Sequence, residues 1–273
     1  MVDFIRALNR EMPRPTWFGW FHLMWIGIAL GACILIAIFR KKFDKRKISI
    51  IMLISGIALV LLEISKQVLN SIEISDTGTI VWDYPSADFP FQFCATPIYV
   101  TLLAIILRKG KVYNTLLNYL ATYALFAGAM VLICPGNVFV ERIFINVQSM
   151  IWHTGMFVLG FMLLVTQSVQ LSVKSVLKAT IVFAIVLTIA ILMNVFAHLI
   201  APDEYFNMFY IGPYYPNDFV VLQDIYQQVP WVVFVLIYAS GFFLASLIIM
   251  LIAMTVKWLA RKTDKHARDT VTT

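Results

Sequence analysis

Charge is what this sequence has least of. Only 13% of its 273 residues are Asp, Glu, Lys or Arg, whereas 61% are hydrophobic. Soluble domains carry about 25% charged and about 45–50% apolar residues, so that class is excluded. Disorder is excluded too, because it needs low hydrophobicity and high charge. Cysteine is scarce and odd in number, and Cys33, Cys94 and Cys134 are widely spaced. That leaves no disulfide framework and no thiolate metal motif. A cleavable signal is also missing. Residues 1–16 are polar, and the first apolar run is too long for a signal core and lacks a small-x-small cleavage site.

What is present is a succession of long apolar runs, with a mean hydropathy of +0.84. A spanning helix needs about 20 mostly apolar residues. Seven stretches approach that: 17–39, 48–69, 89–107, 113–133, 144–165, 177–200 and 229–258. The third is the shortest and contains Pro97. A helix opening at Pro97 would be too short to cross, so the pattern predicts that Pro97 lies inside it and frees the carbonyl of Phe93. The expected fold is all-α: a polytopic membrane bundle of seven transmembrane helices over 17–258. A polar segment (1–16) precedes it and a basic tail (259–273) follows.

Net charge is +6, and the basic residues sit mostly in short loops. They set orientation in a membrane rather than bind nucleic acid. Loops on one side of the seven spans hold sixteen Lys and Arg, those on the other hold four, and Lys66 falls within a span. The positive-inside rule then places the C-terminus in the cytoplasm and the N-terminus outside, in a multi-pass protein of the plasma membrane. The outer loops are the long ones. Residues 71–88 carry Glu73, Asp76, Asp83 and Asp88. Residues 201–228 carry Asp203, Glu204, Asp218 and Asp224 around the centre Phe209-Tyr210-Ile211-Gly212-Pro213-Tyr214-Tyr215-Pro216. This second loop reads either as an interfacial aromatic belt with turns or as a lid over an outward-facing cavity.

Titratable groups within a span are costly and face a partner or a cavity. They are His22 in the first span, Glu63 and Lys66 in the second, His153 in the fifth and His198 in the sixth. Gln67, Asn70, Gln92, Asn118, Asn146, Ser149 and Asn194 add uncharged polarity. With the orientation above, nearly all fall in the outer half of the bilayer, which favours one polar cavity near the outer face. Glu63 and Lys66, three apart, share a helix face with Gln67 and Asn70. They read either as a mutually neutralising pair or as a headgroup-binding pair. His22 and His198 lie near helix ends, where an interfacial hydrogen bond competes with a functional role. His266 belongs to the solvated tail. Cys33 reads as a small hydrophobe, and Cys134 precedes the turn Pro135-Gly136-Asn137. Cys94 lies at the mouth of the expected cavity. A thiol with a nearby imidazole is the minimum for thiolate chemistry, but the spacing does not place Cys94 beside His153. A Cys94–Cys134 disulfide is the structural alternative.

Several segments resemble a known family. They are Phe21-His22-Leu23, Glu63 with Lys66-Gln67, Phe89-Pro90-Phe91-Gln92-Phe93-Cys94, His153-Thr154-Gly155, and residues 207–213 ahead of Val229-Pro230-Trp231. Together they are similar to the YwaF-like bacterial integral membrane proteins, relatives of eukaryotic transmembrane protein 164. The resemblance implies a cysteine-dependent phospholipid acyltransferase in a seven-helix bundle, with Cys94 as nucleophile and His153 as general base. One position departs from the family: Gln92 stands where a histidine is often found, and glutamine does not titrate.

Two functions follow. The first is a phospholipid acyltransferase or acyl hydrolase. It needs no cofactor and no metal, takes a membrane lipid as substrate, and uses Cys94 and His153. His22, Glu63, Lys66, Gln92, Asn194 and His198 would bind the substrate. The second is a non-catalytic binder or transporter of a small polar or amphiphilic solute, using the same cavity. A sensory or accessory subunit is a third possibility.

Overall fold

The computed structural model describes residues 2–75, 77–136, 138–217 and 219–271. Asp76, Asn137 and Asp218 lie outside the described residues, as do the tail side chains from residue 264 onward, His266 among them. Nine helices and one hairpin follow in order among the described residues: α1 (Val2–Leu8), α2 (Trp20–Phe39), α3 (Lys45–Asn70), β1 (Ile72–Ile74), β2 (Ile80–Trp82), α4 (Thr96–Leu107), α5 (Gly110–Ile133), α6 (Ile143–Val165), α7 (Val173–Ile200), α8 (Val220–Gln228) and α9 (Trp231–Val271). Helices α2, α3, α5, α6, α7 and α9 are long and apolar enough to cross a membrane. The molecule is a polytopic helical bundle.

Local chemistry sets the helix starts. The Asp44 carboxylate caps α3 by accepting from the Lys47 N–H at 2.8 Å, and the Ser172 hydroxyl caps α7 by accepting from the Ser175 N–H. Helix α9 begins directly after Pro230, whose carbonyl accepts from the Phe234 N–H. The third span corrects the sequence reading. Pro97 lies in the first turn of α4 rather than inside a helix over 89–107, a position where its missing N–H has no partner to lose. The Phe93 carbonyl is not free. It accepts from the Thr96 N–H and from the Thr96 hydroxyl at 2.8 Å. With the 3-10 turn Phe93–Ala95, the apolar helix runs Phe93–Leu107, which is about 22 Å at ~1.5 Å per residue. That is short of a hydrocarbon core ~30 Å thick. Residues 89–92 reach its start as irregular chain.

Two helices form the centre. In α5 and α6, 72% and 61% of the apolar window is buried within the protein, against 17–33% in the other four long helices. Their close approach depends on two glycines. A Cβ on Gly128 would lie 2.5 Å from the His153 carbonyl oxygen, and one on Gly160 would lie 2.7 Å from the Leu120 carbonyl oxygen. Small residues are what membrane helices use to bring backbones together. Midway along α5, residues Leu120–Ala124 form a π-turn. A column of stacked rings, Tyr119–Tyr123–Phe183–Phe242–Tyr238, ties α5 to α7 and α9. Helix α2 stands to the side, packing Phe21, Trp25 and Ala29 against Leu132, Phe139 and Met150.

The N-terminal segment folds back onto one end of the bundle. Glu11 pairs as a β-bridge with Arg142, the Met12 N–H donates to the Glu141 carbonyl, and Arg14 donates to the Gly136 carbonyl at 2.7 Å. The hairpin after α3 and the loop after α7 lie at this same end, joined by a hydrogen bond from the Ser86 hydroxyl to Glu204.

Candidate functional site

Cys94 sits in the 3-10 turn that leads into α4. The residue is half-buried and its thiol is not in a disulfide, and Cys33 and Cys134 are free as well. Trp152 of α6 fixes this turn, its indole N–H donating to the Cys94 carbonyl at 2.9 Å. The next residue, His153, is only 4% exposed. Its Nδ1 lies 2.7 Å from the Ser149 carbonyl oxygen. A carbonyl only accepts, so Nδ1 carries the proton and Nε2 keeps its lone pair. That Nε2 is buried without a hydrogen-bond partner. Cys94 and His153 are not hydrogen-bonded to each other, but the Lys66 ammonium is close enough to act electrostatically on both.

Lys66 pairs with Glu63 at 2.8 Å, the one salt bridge among the described residues. Glu63 also accepts from Gln67 at 2.6 Å, and Gln67 donates as well to the Asp88 carbonyl. The chain of contacts continues from Asn70 to the Asp88 carboxylate at 2.7 Å and from Arg142 to Asn70 at 2.8 Å. Tyr84, in the loop above, belongs to this neighbourhood: partial burial, then the Asp88 and Glu63 carboxylates, push its phenol above the ordinary value. Glu63 and Lys66 therefore form one end of a polar ladder along α3.

Next to this group lies an apolar groove of about 110 Å³. It is smaller than the ~150 Å³ apolar cavity that takes up benzene. Leu59 and Leu62 of α3, Pro97, Leu120 and Ala124 of α5, and Gly155 and Met156 of α6 line it. Three of these, Leu62, Pro97 and Met156, are within one turn of Glu63, Cys94 and His153 respectively. Gly155 and Ile151, which line it, are exposed on the apolar face of the bundle.

The other predicted residues lie at the same end but in internal roles. Gln92 donates to the Asn207 carbonyl at 3.0 Å and accepts from the Phe209 N–H at 2.8 Å. Asn194 donates to the Met208 carbonyl at 2.9 Å and accepts from its N–H at 2.6 Å. The two carboxamides hold three successive residues of the loop after α7, where Phe209 and Tyr210 have φ of +60° and +53°. Asn207 itself accepts from the Gly212 N–H, and Trp231 donates to the Ile211 carbonyl. His198 stacks on Tyr214 of this loop with centroids 3.6 Å apart. His22 is separate from the Cys94 group. Its Nδ1 accepts from the Phe18 N–H and its Nε2 donates to the Leu132 carbonyl, both at 3.0 Å, joining α2 to the end of α5. Among the described residues no three His, Cys, Asp or Glu side chains converge as a metal site.

Sequence reasoning missed Trp152, whose only signal was its place beside His153. It also missed the backbone of residues 207–209, since no side-chain pattern announces which carbonyl an amide will find.

Six membrane-length helices around a buried α5–α6 centre, with a polar group at one end, define a multi-pass integral membrane protein. The TMEM164 family profile matches residues 17–255, and the chain belongs to the TMEM164 family. Comparison with curated proteins finds no match, and comparison with solved structures finds none.

Proposed function

We propose that this protein is a cysteine-dependent phospholipid acyltransferase or acyl hydrolase, placed among the bacterial YwaF-like members of its family. The observation that carries the reading is the His153 ring: Nδ1 is pinned to a carbonyl, while Nε2 is buried, unpartnered and able to accept a proton. A base with no internal partner, one residue from the indole that holds the Cys94 turn, is the kind of group that thiolate chemistry needs.

The acyl ester would enter from the membrane with only the carbons next to its carbonyl in the apolar groove, the rest of the chain outside it, and its headgroup toward Glu63 and Lys66. His153 takes the thiol proton as Cys94 Sγ attacks the ester carbonyl. The S–C bond forms, the ester C–O bond breaks, and the imidazolium returns the proton to the departing lipid oxygen. An acceptor alcohol or water then gives its proton to His153 and attacks the thioester, which regenerates the thiol. The reaction requires Sγ and Nε2 to come within hydrogen-bond reach when substrate fills the site, as catalytic groups in apo structures commonly do. Gln92 holds the loop and takes no part in proton transfer. We place the N-terminus outside and the basic tail in the cytoplasm of a plasma membrane, on the charge asymmetry of the loops.

The test is acyl transfer from a phospholipid ester to Cys94, followed by mass spectrometry of the trapped thioester. Wild type is compared with Cys94→Ala and His153→Ala. A Cys94 adduct that His153→Ala abolishes supports the reading. A protein that forms no adduct, yet binds amphiphile equally well in all three forms, would instead be a binder or transporter.

A further inference from the structure

The opposite end of the bundle holds a larger cavity, of about 500 Å³, within the range of small-ligand sites. Its walls come from four elements. They are Asn114 and Asn118 of α5, residues 167–171 between α6 and α7, Ser175 and Lys178 of α7, and Lys257 of α9. Two of these side chains are cationic and none is anionic. The stretches that supply the lining, residues 89–140, 142–202 and 225–263, contain no Asp or Glu, and the first acid after Lys257 is Asp264, seven residues on. Asp44, at this end of the bundle, is engaged as the α3 cap. Lys257 donates to Gln167 Oε1 at 2.6 Å, which leaves it two further donors.

A second observation is independent of charge. Asn118 is only 4% exposed and lines the cavity, and its carboxamide has no hydrogen-bond partner among the described residues. Its amide atoms are not among the buried polar atoms that lack a partner, so they open into the cavity, where a ligand can reach them. Asn194, buried to a similar degree, is fully bonded. An uncompensated pair of lysines, an unpaired carboxamide and the N-terminal turn of the 28-residue helix α7 all favour the same ligand chemistry: negative charge with several acceptor oxygens.

We infer that this cavity binds a phosphate group, with Lys178 and Lys257 supplying charge-assisted hydrogen bonds and Asn118 a neutral donor from the cavity wall. The group belongs either to an anionic phospholipid headgroup or to a soluble phosphate compound. Basic pockets between membrane helices recognise such headgroups.

The experiment uses the full chain. Thermal unfolding and native mass spectrometry are recorded in phosphatidylcholine nanodiscs with and without phosphatidylglycerol, and in detergent with inorganic phosphate or glycerol 3-phosphate. Wild type is compared with Lys178→Gln, Lys257→Gln and Asn118→Ser. Lys174→Gln, one turn from Lys178 but outside the cavity lining, is the control. Expected is a stabilised, ligand-retaining wild type, with affinity about tenfold weaker in each lysine variant, the loss of one charge-assisted hydrogen bond. Lys174→Gln should bind as wild type. Response to phosphatidylglycerol alone identifies a lipid site, and response to the soluble compounds identifies a soluble ligand. No response to either, or an equal loss in Lys174→Gln, overturns the inference, the latter by showing diffuse surface attraction.

Discussion

Two buried asparagines, one near each end of the bundle, set out the contrast within this molecule. Asn194 is 1% exposed and both ends of its amide bond the Met208 backbone. Asn118 is 4% exposed and its amide bonds nothing among the described residues. The first is structural: it fixes a loop whose backbone has strained, left-handed residues at Phe209 and Tyr210. The second faces a cavity lined by two lysines. The same residue type at similar burial thus separates a carboxamide satisfied by the chain from one that opens into a cavity. His153 Nε2 is buried without a partner, as are His198 Nδ1 and Gln67 Oε1 at the same end, whereas both nitrogens of His22 are bonded.

This contrast can be broken by substitution. The largest effect falls on chemistry. Cys94→Ala should remove acyl transfer, and His153→Ala should slow it by about 10²–10⁴-fold, the usual contribution of a general base, as read by thioester yield under single-turnover conditions. A His153→Ala protein with wild-type yield would put the base elsewhere. Next is Asn194→Leu, which strips partners from a buried N–H and a buried C=O of Met208. At about 1–3 kcal/mol for each group left unpaired, the melting temperature should fall markedly and the loop should become open to protease. Gly128→Ala should cost about 1–3 kcal/mol by overpacking, because its Cβ would press on the His153 backbone. It should also lower acyl transfer by displacing the base, which links stability and activity in one variant. Asn118→Leu should have the smallest effect, near neutral or mildly stabilising in lipid-free detergent, since no hydrogen bond is lost. A loss as large as that of Asn194→Leu would show that Asn118 has a structural partner after all.

The spans were legible because an apolar run of 20 residues is too long for a buried strand and too uniformly apolar for a surface helix. Six of them match observed helices to within a few residues at most ends. Helix α7 starts four residues before its predicted run because Ser172 caps a first turn containing Lys174, which hydropathy counts against a span. The third span misled because Pro97 is compatible with both a helix interior and a helix start, and the length a membrane requires favours the interior. The local signal was Thr96, whose hydroxyl returns to the Phe93 carbonyl. At the candidate site, Cys94, His153 and the Glu63–Lys66 pair stood out as polar or titratable groups in apolar runs. Nothing in the sequence shows that Gln92 and Asn194 bind main chain 115 and 14 residues away. Asn118 was grouped with the other polar residues of the spans, because polarity alone does not reveal which residues find partners. The basic cavity was hidden for another reason. Its lysines served to orient the chain in the membrane, and nothing in a linear count shows that two of them share a wall.

The π-turn at Leu120–Ala124 joins these two ends in a single helix. Such a turn carries one residue more than an α-helix needs, which rotates everything beyond it by about 100°. On one side of that offset α5 presents Asn114 and Asn118 to the phosphate-sized cavity; within it, Leu120 and Ala124 face the apolar groove. The phase between the two compartments is therefore held by one surplus residue. Removing that residue to give regular helix would swing one wall relative to the other.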